Sequence, residues 1–187
     1  MKNLVVFASG NGSNFEAIAS ACKKGEIDGQ VVLLICDKKD AYAIKRAEKY
    51  GIKTVVLSPK DFASKDDYEK EVVKNMSAFN IDLICLAGYM RIVGDTILGK
   101  YQGKIINTHP SILPSFKGMR AVEQAMEYGV KVYGITIHYV DNSLDGGKII
   151  AQKTVSYEGD DINYIKKRLL SVEHKLYVSV INRLLSE

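Results

Sequence analysis

Residues 4–9 read LVVFAS, and residues 10–14 continue GNGSN. An unbroken run of Leu, Val and Phe fits a strand buried on both faces, because a half-exposed strand would alternate apolar with polar residues. Three further runs repeat the pattern: VVLLIC at 31–36, TVVLS at 54–58 and IDLICLAG at 81–88. The stretches between them carry helical periodicity and predict helices over 15–24, 41–50 and 61–80. Short buried strands alternating with helices read as parallel strands joined by crossovers. KIINTHP (104–110) supplies a fifth strand, and the pattern then changes. VYGITIHYV (132–140) and KIIAQKTVSY (148–157) flank the polar turn DNSLDGG (141–147), which predicts an antiparallel hairpin or edge pair. A closing helix is expected from about Asp161 to Leu185, with acidic residues at its positive end. No repeat or low-complexity linker interrupts the chain. The expectation is one α/β domain over 1–187, a mostly parallel twisted sheet with helices on both faces (Rossmann-like) and an antiparallel edge pair near the C-terminus.

The formal net charge of +4 comes from scattered rather than blocked Lys residues. Such a balance suits anionic small ligands and argues against a nucleic-acid partner. The three cysteines, Cys22, Cys36 and Cys85, form no CxxC pair, and Cys36 and Cys85 sit in apolar strand-like runs, which reads as buried free thiols in a reducing compartment. No apolar run approaches the ~20 residues that a membrane span needs, and no signal pattern precedes the first strand. The expected location is cytoplasmic, with no membrane partner.

Open α/β sheets bind ligands beyond the carboxyl ends of their strands. Chemistry-bearing residues collect there in this chain. The first run ends in SGNGSN (9–14), whose two glycines let backbone approach a ligand, while Ser13 and Asn14 can cap the following helix and face an anion at its N-terminus. It is not a dinucleotide fingerprint, since Phe15 stands where the third Gly of GxGxxG would be, and a plain capped turn is the competing reading. In IINTHPSILPSFKG (105–118), a strand ends in Asn107 and His109, two apart and therefore on one side, with Pro110 and Pro114 preventing its continuation. An amide beside an imidazole suits a carbonyl oxygen that becomes an oxyanion, whereas a lone strand-end His is more often structural. Asp145 precedes Gly146 and Gly147 in the turn. It is a solvated turn residue unless His109 lies near, in which case it can orient the imidazole. In the last helix Leu169, Leu176, Val180 and Leu184 mark an apolar stripe on which Glu173 also falls. A carboxylate there needs a partner, either a rim cation or a ligand hydroxyl. For His138 and His174 structural hydrogen bonding is the better reading.

Taken in order, SGNGSN (9–14), LAGYMRI (86–92), INTHPSILPSFKG (106–118) and HYVDNSLDGG (138–147) resemble the motifs of the folate-dependent formyltransferases. The loop GNGSN resembles that of the phosphoribosylglycinamide (GAR) transformylase branch. The resemblance covers most of the chain. It implies the Rossmann-like formyltransferase fold and transfer of a formyl group from 10-formyltetrahydrofolate, as co-substrate and without a metal, to the amine of glycinamide ribonucleotide in de novo purine synthesis. It also implies that Asn107, His109 and Asp145 are catalytic, that Gly12, Ser13 and Asn14 hold the ribonucleotide phosphate, and that Glu173 contacts its ribose. Lys65, Met90, Arg91, Ile92, Val93, Asn107, Asp141, Asn142, Ser143, Leu144 and Asp145 match the folate pocket. Lys65 stands where relatives often carry Arg, and Lys117 and Arg120 stand where the resemblance implies Pro and His. A monomer or homodimer is expected. The competing readings are a methionyl-tRNA formyltransferase, which should carry an added RNA-binding domain, a formyltetrahydrofolate hydrolase, which usually carries a regulatory one, and a non-catalytic nucleotide-binding module. In favour of the last, Asp37 ends the second strand near where dinucleotide binders place an acid.

Overall fold

The continuous apolar runs become strands because their alternate residues face two different cores. A computed structural model describes residues 1–187. The runs form β1 (Lys2–Ala8), β2 (Gly29–Cys36), β3 (Thr54–Val56) and β4 (Leu83–Leu86), followed by β5 (Ile105–His109). Helices α1 (Ser13–Lys24), α2 (Tyr42–Tyr50), α3 (Lys65–Met76) and α4 (Asp95–Lys100) connect them in turn. After β5 come α5 (Ala121–Tyr128), β6 (Val132–Tyr139), β7 (Ile149–Ser156) and the long α6 (Ile162–Ser186). In β1, Leu4, Val6 and Ala8 pack with Phe15 and Ile18 of α1 and Tyr177 of α6. Val5 and Phe7, between them, pack with Tyr68 and Val72 of α3 and Ile97 of α4 on the other face. The period of two distributes one apolar run between two layers of helices.

The sheet order is β3-β2-β1-β4-β5-β6-β7. The pairs from β3 to β5 are parallel, and β5–β6 and β6–β7 are antiparallel. The strand order reverses between β1 and β4, where such sheets open a crevice. The antiparallel β6 starts beside the carboxyl end of β5, where Thr136 pairs with His109, and runs away from it to leave the sheet opposite Ile105. The turn into β7 folds back, so that Asp145 lies 3.4 Å from His109. No helix is long and apolar enough to cross a membrane. The cysteines are free, with Cys36 and Cys85 buried, and burial pushes the Cys22 thiol up to about 11.

Three local expectations change. The helix predicted over 61–80 begins at Lys65, because the Ser64 hydroxyl accepts the Asp67 amide at 3.1 Å and Pro59–Asp61 form a separate 3₁₀ turn. Helices α4 and α5 lie where none was predicted, being six and eight residues long, too short for periodicity to show. The buried stripe of α6 runs Ile165, Leu169, Glu173, Tyr177, Ile181 and Leu185, with Val180 beside it. Leu176 and Leu184 lie at its edge, only partly buried. Spacing of four residues continued down one face selects this row. At its far end Leu185 closes over the starts of β1 and β2: a Cβ on Gly29 would meet Leu185 Cδ1 at 3.1 Å and the Lys2 carbonyl oxygen at 3.0 Å.

Tyr177 fastens this helix to the reactive end of the sheet. It is buried, and its hydroxyl lies 2.9 Å from the Leu86 carbonyl oxygen and 3.2 Å from that of Ile106, on neighbouring strands. Tyr177→Phe removes the only O–H that reaches these buried acceptors. Urea denaturation should show a loss of about 1–2 kcal/mol in unfolding free energy. An unchanged midpoint would mean that the carbonyls are satisfied without it.

Candidate active site

The loop after β1 turns into α1 through Gly12, whose φ of 73° is left-handed. The Gly12 carbonyl accepts the Glu16 amide at 2.9 Å, and no side chain caps the helix. The expected capping by Ser13 and Asn14 is therefore corrected: the glycine is the cap position, and both residues lie inside the first turn. The first amides of any helix lack intrahelical partners, so this turn still offers N–H groups to an anion. Helix α2 braces the loop from outside. The Ala43 amide donates to the Gly10 carbonyl at 3.1 Å, and Arg46 Nε and Nη2 donate to the backbone and side-chain oxygens of Asn11 at 2.9 and 3.0 Å.

Asn14 points inward, and its Nδ2 donates to Glu173 Oε2 at 2.9 Å. Thr108 Oγ1 donates to Glu173 Oε1 at 2.7 Å. The rim ion pair considered for Glu173 is thus absent, and two neutral donors hold the buried carboxylate. Thr108 does this because the pleat turns it away from Asn107 and His109. An open cleft of about 340 Å³, lined by Pro110, Ile135, Leu169 and Glu173 with Arg120 and Lys166 also on its wall, lies on this side.

On the other face Asn107, His109 and Asp145 come together around His138. Burial holds the His138 imidazole below its ordinary pKa, so the ring is neutral at neutral pH. His138 Nδ1–H donates to the Tyr139 carbonyl at 2.8 Å, which leaves Nε2 to accept from Asn107 Nδ2 at 3.2 Å. The structural role read for His138 holds, and its partner is a candidate catalytic amide. His109 has an acceptor at each ring nitrogen: the Phe116 carbonyl 2.8 Å from Nε2 and Asp145 Oδ2 3.4 Å from Nδ1. Asp145 Oδ2 also accepts the Gly118 amide at 2.8 Å, and Oδ1 lies 3.9 Å from His138 Nε2. Asp145 itself has a φ of 48°, and a Cβ on Gly147 would lie 1.8 Å from the Tyr139 carbonyl oxygen. The turn must be this tight for the carboxylate to reach the imidazole.

The residues matched to the folate pocket occupy two walls. Met90 and Ile92 are exposed, whereas the Val93 side chain is buried in the core, so only its backbone can meet a ligand. Arg91 Nε donates to Asp37 Oδ2 at 2.7 Å. Lys65 opens α3 beside this segment: a Cβ on Gly94 would meet its Cε at 2.9 Å. In the turn, Asp141 accepts hydrogen bonds from the Ser143 amide and hydroxyl, which hold its carboxyl below the usual range, and Leu144 is exposed. Asp95, Leu98 and Gly99 of α4, with Gln102 just beyond it, face residues 140–143 across a cleft of about 570 Å³. No three His, Cys, Asp or Glu residues are grouped to hold a metal ion.

A trio at the carboxyl ends of β5 and the β6–β7 turn, with a cleft on either side, can be compared with known proteins. The formyl transferase family model matches residues 2–181. This chain belongs to the formyl transferase family. Phosphoribosylglycinamide formyltransferase of Bacillus subtilis is 50% identical over 186 residues, covering 99% of this chain and 95% of its own. The crystal structure of phosphoribosylglycinamide formyltransferase from Bacillus halodurans superposes with a TM-score of 0.96 at 46% identity, covering 100% of this chain and 96% of its own. The trifunctional purine biosynthetic protein adenosine-3 of Gallus gallus is 36% identical over 95% of this chain and 18% of its own length.

Several contributors to this formyl transferase site escape sequence reasoning. Thr108 was readable in principle, since alternation sends it to the face opposite Asn107. The Phe116 carbonyl is backbone and has no residue signature, and α4 is too short for one. Lys117 and Arg120, flagged as departures, do not join the trio: Arg120 pairs with Glu127 at 3.2 Å and Lys117 accepts at its carbonyl from Gln124. His174 departs from its expected structural bond, because its Nε2 is buried without a partner.

Two outcomes follow from this geometry. A Cβ on Gly12 would lie 2.6 Å from Ala43 Cβ and 2.7 Å from its Cα, so glycine is required by the packing of α2 as well as by φ. Gly12→Ala should lower unfolding free energy by more than about 1 kcal/mol, read by thermal melting, before any ligand is added. His138 has a native pKa below its ordinary 6.5, so the unfolded chain takes up the proton first as pH falls. Its contribution is present above 6.5 and is lost on acidification toward the lower native value. Melting temperature should therefore fall below pH 6.5, and His138→Asn should flatten that slope. An unchanged slope would show that other groups carry it.

Proposed function

We propose that this enzyme transfers the formyl group of 10-formyltetrahydrofolate to the amine of glycinamide ribonucleotide, as a cytoplasmic step of purine biosynthesis. The observation that carries the reading is the Asn107–His109–Asp145 constellation, joined through Thr108 and Glu173 to the first turn of α1. The names of the relatives at 50% and 46% identity support the same substrate over other formyl-folate reactions. A dinucleotide module is disfavoured, because Asp37 is held by Arg91 rather than left for a ribose.

In this reading the ribonucleotide phosphate meets the amides of the Gly12–Asn14 turn, and its ribose lies toward Glu173. The folate lies between the 90–93 segment and the 141–145 turn. The substrate amine attacks the formyl carbon, a C–N bond forms, and the bond from that carbon to the folate nitrogen breaks. The amine proton ends on the departing nitrogen. Asn107 has a second amide N–H beyond the one given to His138, and it donates to the developing oxyanion. His109 joins it when its Nε2–H leaves the Phe116 carbonyl, an acceptor that occupies the position of a substrate oxygen. Asp145 orients the ring and assists the proton transfer through water.

Assays of formyl transfer with both substrates test the assignment. His109→Ala and Asn107→Ala should each lower kcat by about 10²–10³-fold, with melting temperatures near that of the parent. Asn107→Asp should be worse than Asn107→Ala, since a carboxylate repels the oxyanion. Normal turnover in His109→Ala would remove the imidazole from the mechanism, and absence of formyl transfer by the parent would remove the function.

A further inference from the structure

Residues 89–94 are fixed in an uneven way. The Met90 amide donates to Ser9 Oγ at 2.9 Å, and the Gly94 amide donates to Glu69 Oε1 at 2.6 Å. Tyr89 packs edge-on against Phe7, and its hydroxyl shares a 2.7 Å hydrogen bond with that of Tyr68. Both ends of the segment are therefore held by backbone bonds or packing. Between them Arg91 is the one charged side chain, and its single hydrogen bond is Nε to Asp37 Oδ2.

Asp37 is an unusual partner. It is 3% exposed, it directly follows β2, two strands away from β4, and its Oδ1 is buried with no hydrogen-bond partner. An ion pair whose carboxylate is buried is weak evidence for stability, because desolvation of the carboxylate offsets the attraction, and a half-satisfied carboxylate offsets it further. What the pair does supply is direction. Fixing the guanidinium through Nε leaves both terminal nitrogens without a protein partner, on a side chain that is 41% exposed. The rotamers of a free Arg would cover much of the segment, whereas this one is held to a single orientation.

We propose that Asp37 is a positioning residue for the formyl-folate co-substrate, acting through Arg91 to hold the wall formed by residues 90–93. The proposal rests on the reading that this wall meets the folate. Asp37 touches no substrate. It sets the orientation of a side chain on the wall, so its loss weakens capture of one substrate and leaves the reacting centre as it was.

Steady-state kinetics of three variants test this on the full chain. Asp37→Asn removes the charge at nearly constant size. The KM for 10-formyltetrahydrofolate should rise about tenfold, with kcat and the KM for glycinamide ribonucleotide within about twofold of the parent. Asp37→Leu removes the unpartnered oxygen as well. It should raise the folate KM equally, while its melting temperature equals or exceeds that of the parent, a divergence that a purely structural role does not produce. Arg91→Ala should raise the folate KM, and adding Asp37→Asn to it should produce no further rise. If Arg91→Ala raises the folate KM and neither Asp37 variant does, the positioning role is overturned while the wall stands. If Arg91→Ala leaves the folate KM unchanged, the folate reading of this wall falls, and the role of Asp37 falls with it. Equal rises in both KM values would overturn the proposal by showing a general loss of structure.

Discussion

The carboxylate of Glu173 sits where three elements meet, and the arrangement of the site follows from how it is satisfied. A buried charge demands donors, and the only ones given to it are Asn14 on α1 and Thr108 on β5. Each bond therefore fixes a neighbour as much as it satisfies Glu173. Through Asn14 the first turn of α1 is held at a set distance from the sheet. Through Thr108 the register of β5 is fixed relative to α6, and a slip of one residue would turn Asn107 and His109 to the wrong face. The first turn of α1 and the amide and imidazole at the end of β5 are thus referenced to one point.

The same strand illustrates how a single run of alternating residues can serve two compartments. Asn107 and His109 face the layer of α3 and α4, and Thr108 between them faces α1 and α6. The antiparallel β6 completes the same face. It starts opposite His109, places His138 directly opposite Asn107, and leaves the sheet opposite Ile105, from where the 141–147 turn folds back to bring Asp145 to His109.

Much of this was legible in the chain. Strands buried on both faces announce themselves as continuous Val, Leu and Ile, which is why β1, β2, β4 and the crossovers between them could be read directly. Asn107 and His109 were legible because an amide and an imidazole are poor choices for a strand interior unless used. What stayed hidden was of two kinds. Short elements such as α4 hold too few residues for a period to form. Partners drawn from backbone, such as the Phe116 carbonyl on His109, or from distant residues, such as Thr108 on Glu173, are three-dimensional facts with no local signature. Ser13 and Asn14 show the converse error: good capping residues lie inside the first turn because Gly12, free to take a left-handed conformation, already supplies the cap position.

The closing of Leu185 over Lys2 and Gly29 places the entry of the first strand and the exit of the last helix together, at the edge of the sheet opposite the chemistry. Anything joined to either end leaves from the end of the sheet opposite Asn107 and His109. The fold is in this sense a cassette, able to be spliced into a longer polypeptide without rebuilding its site. The trifunctional relative, in which the matching region makes up 18% of the length, is an arrangement that such a geometry permits.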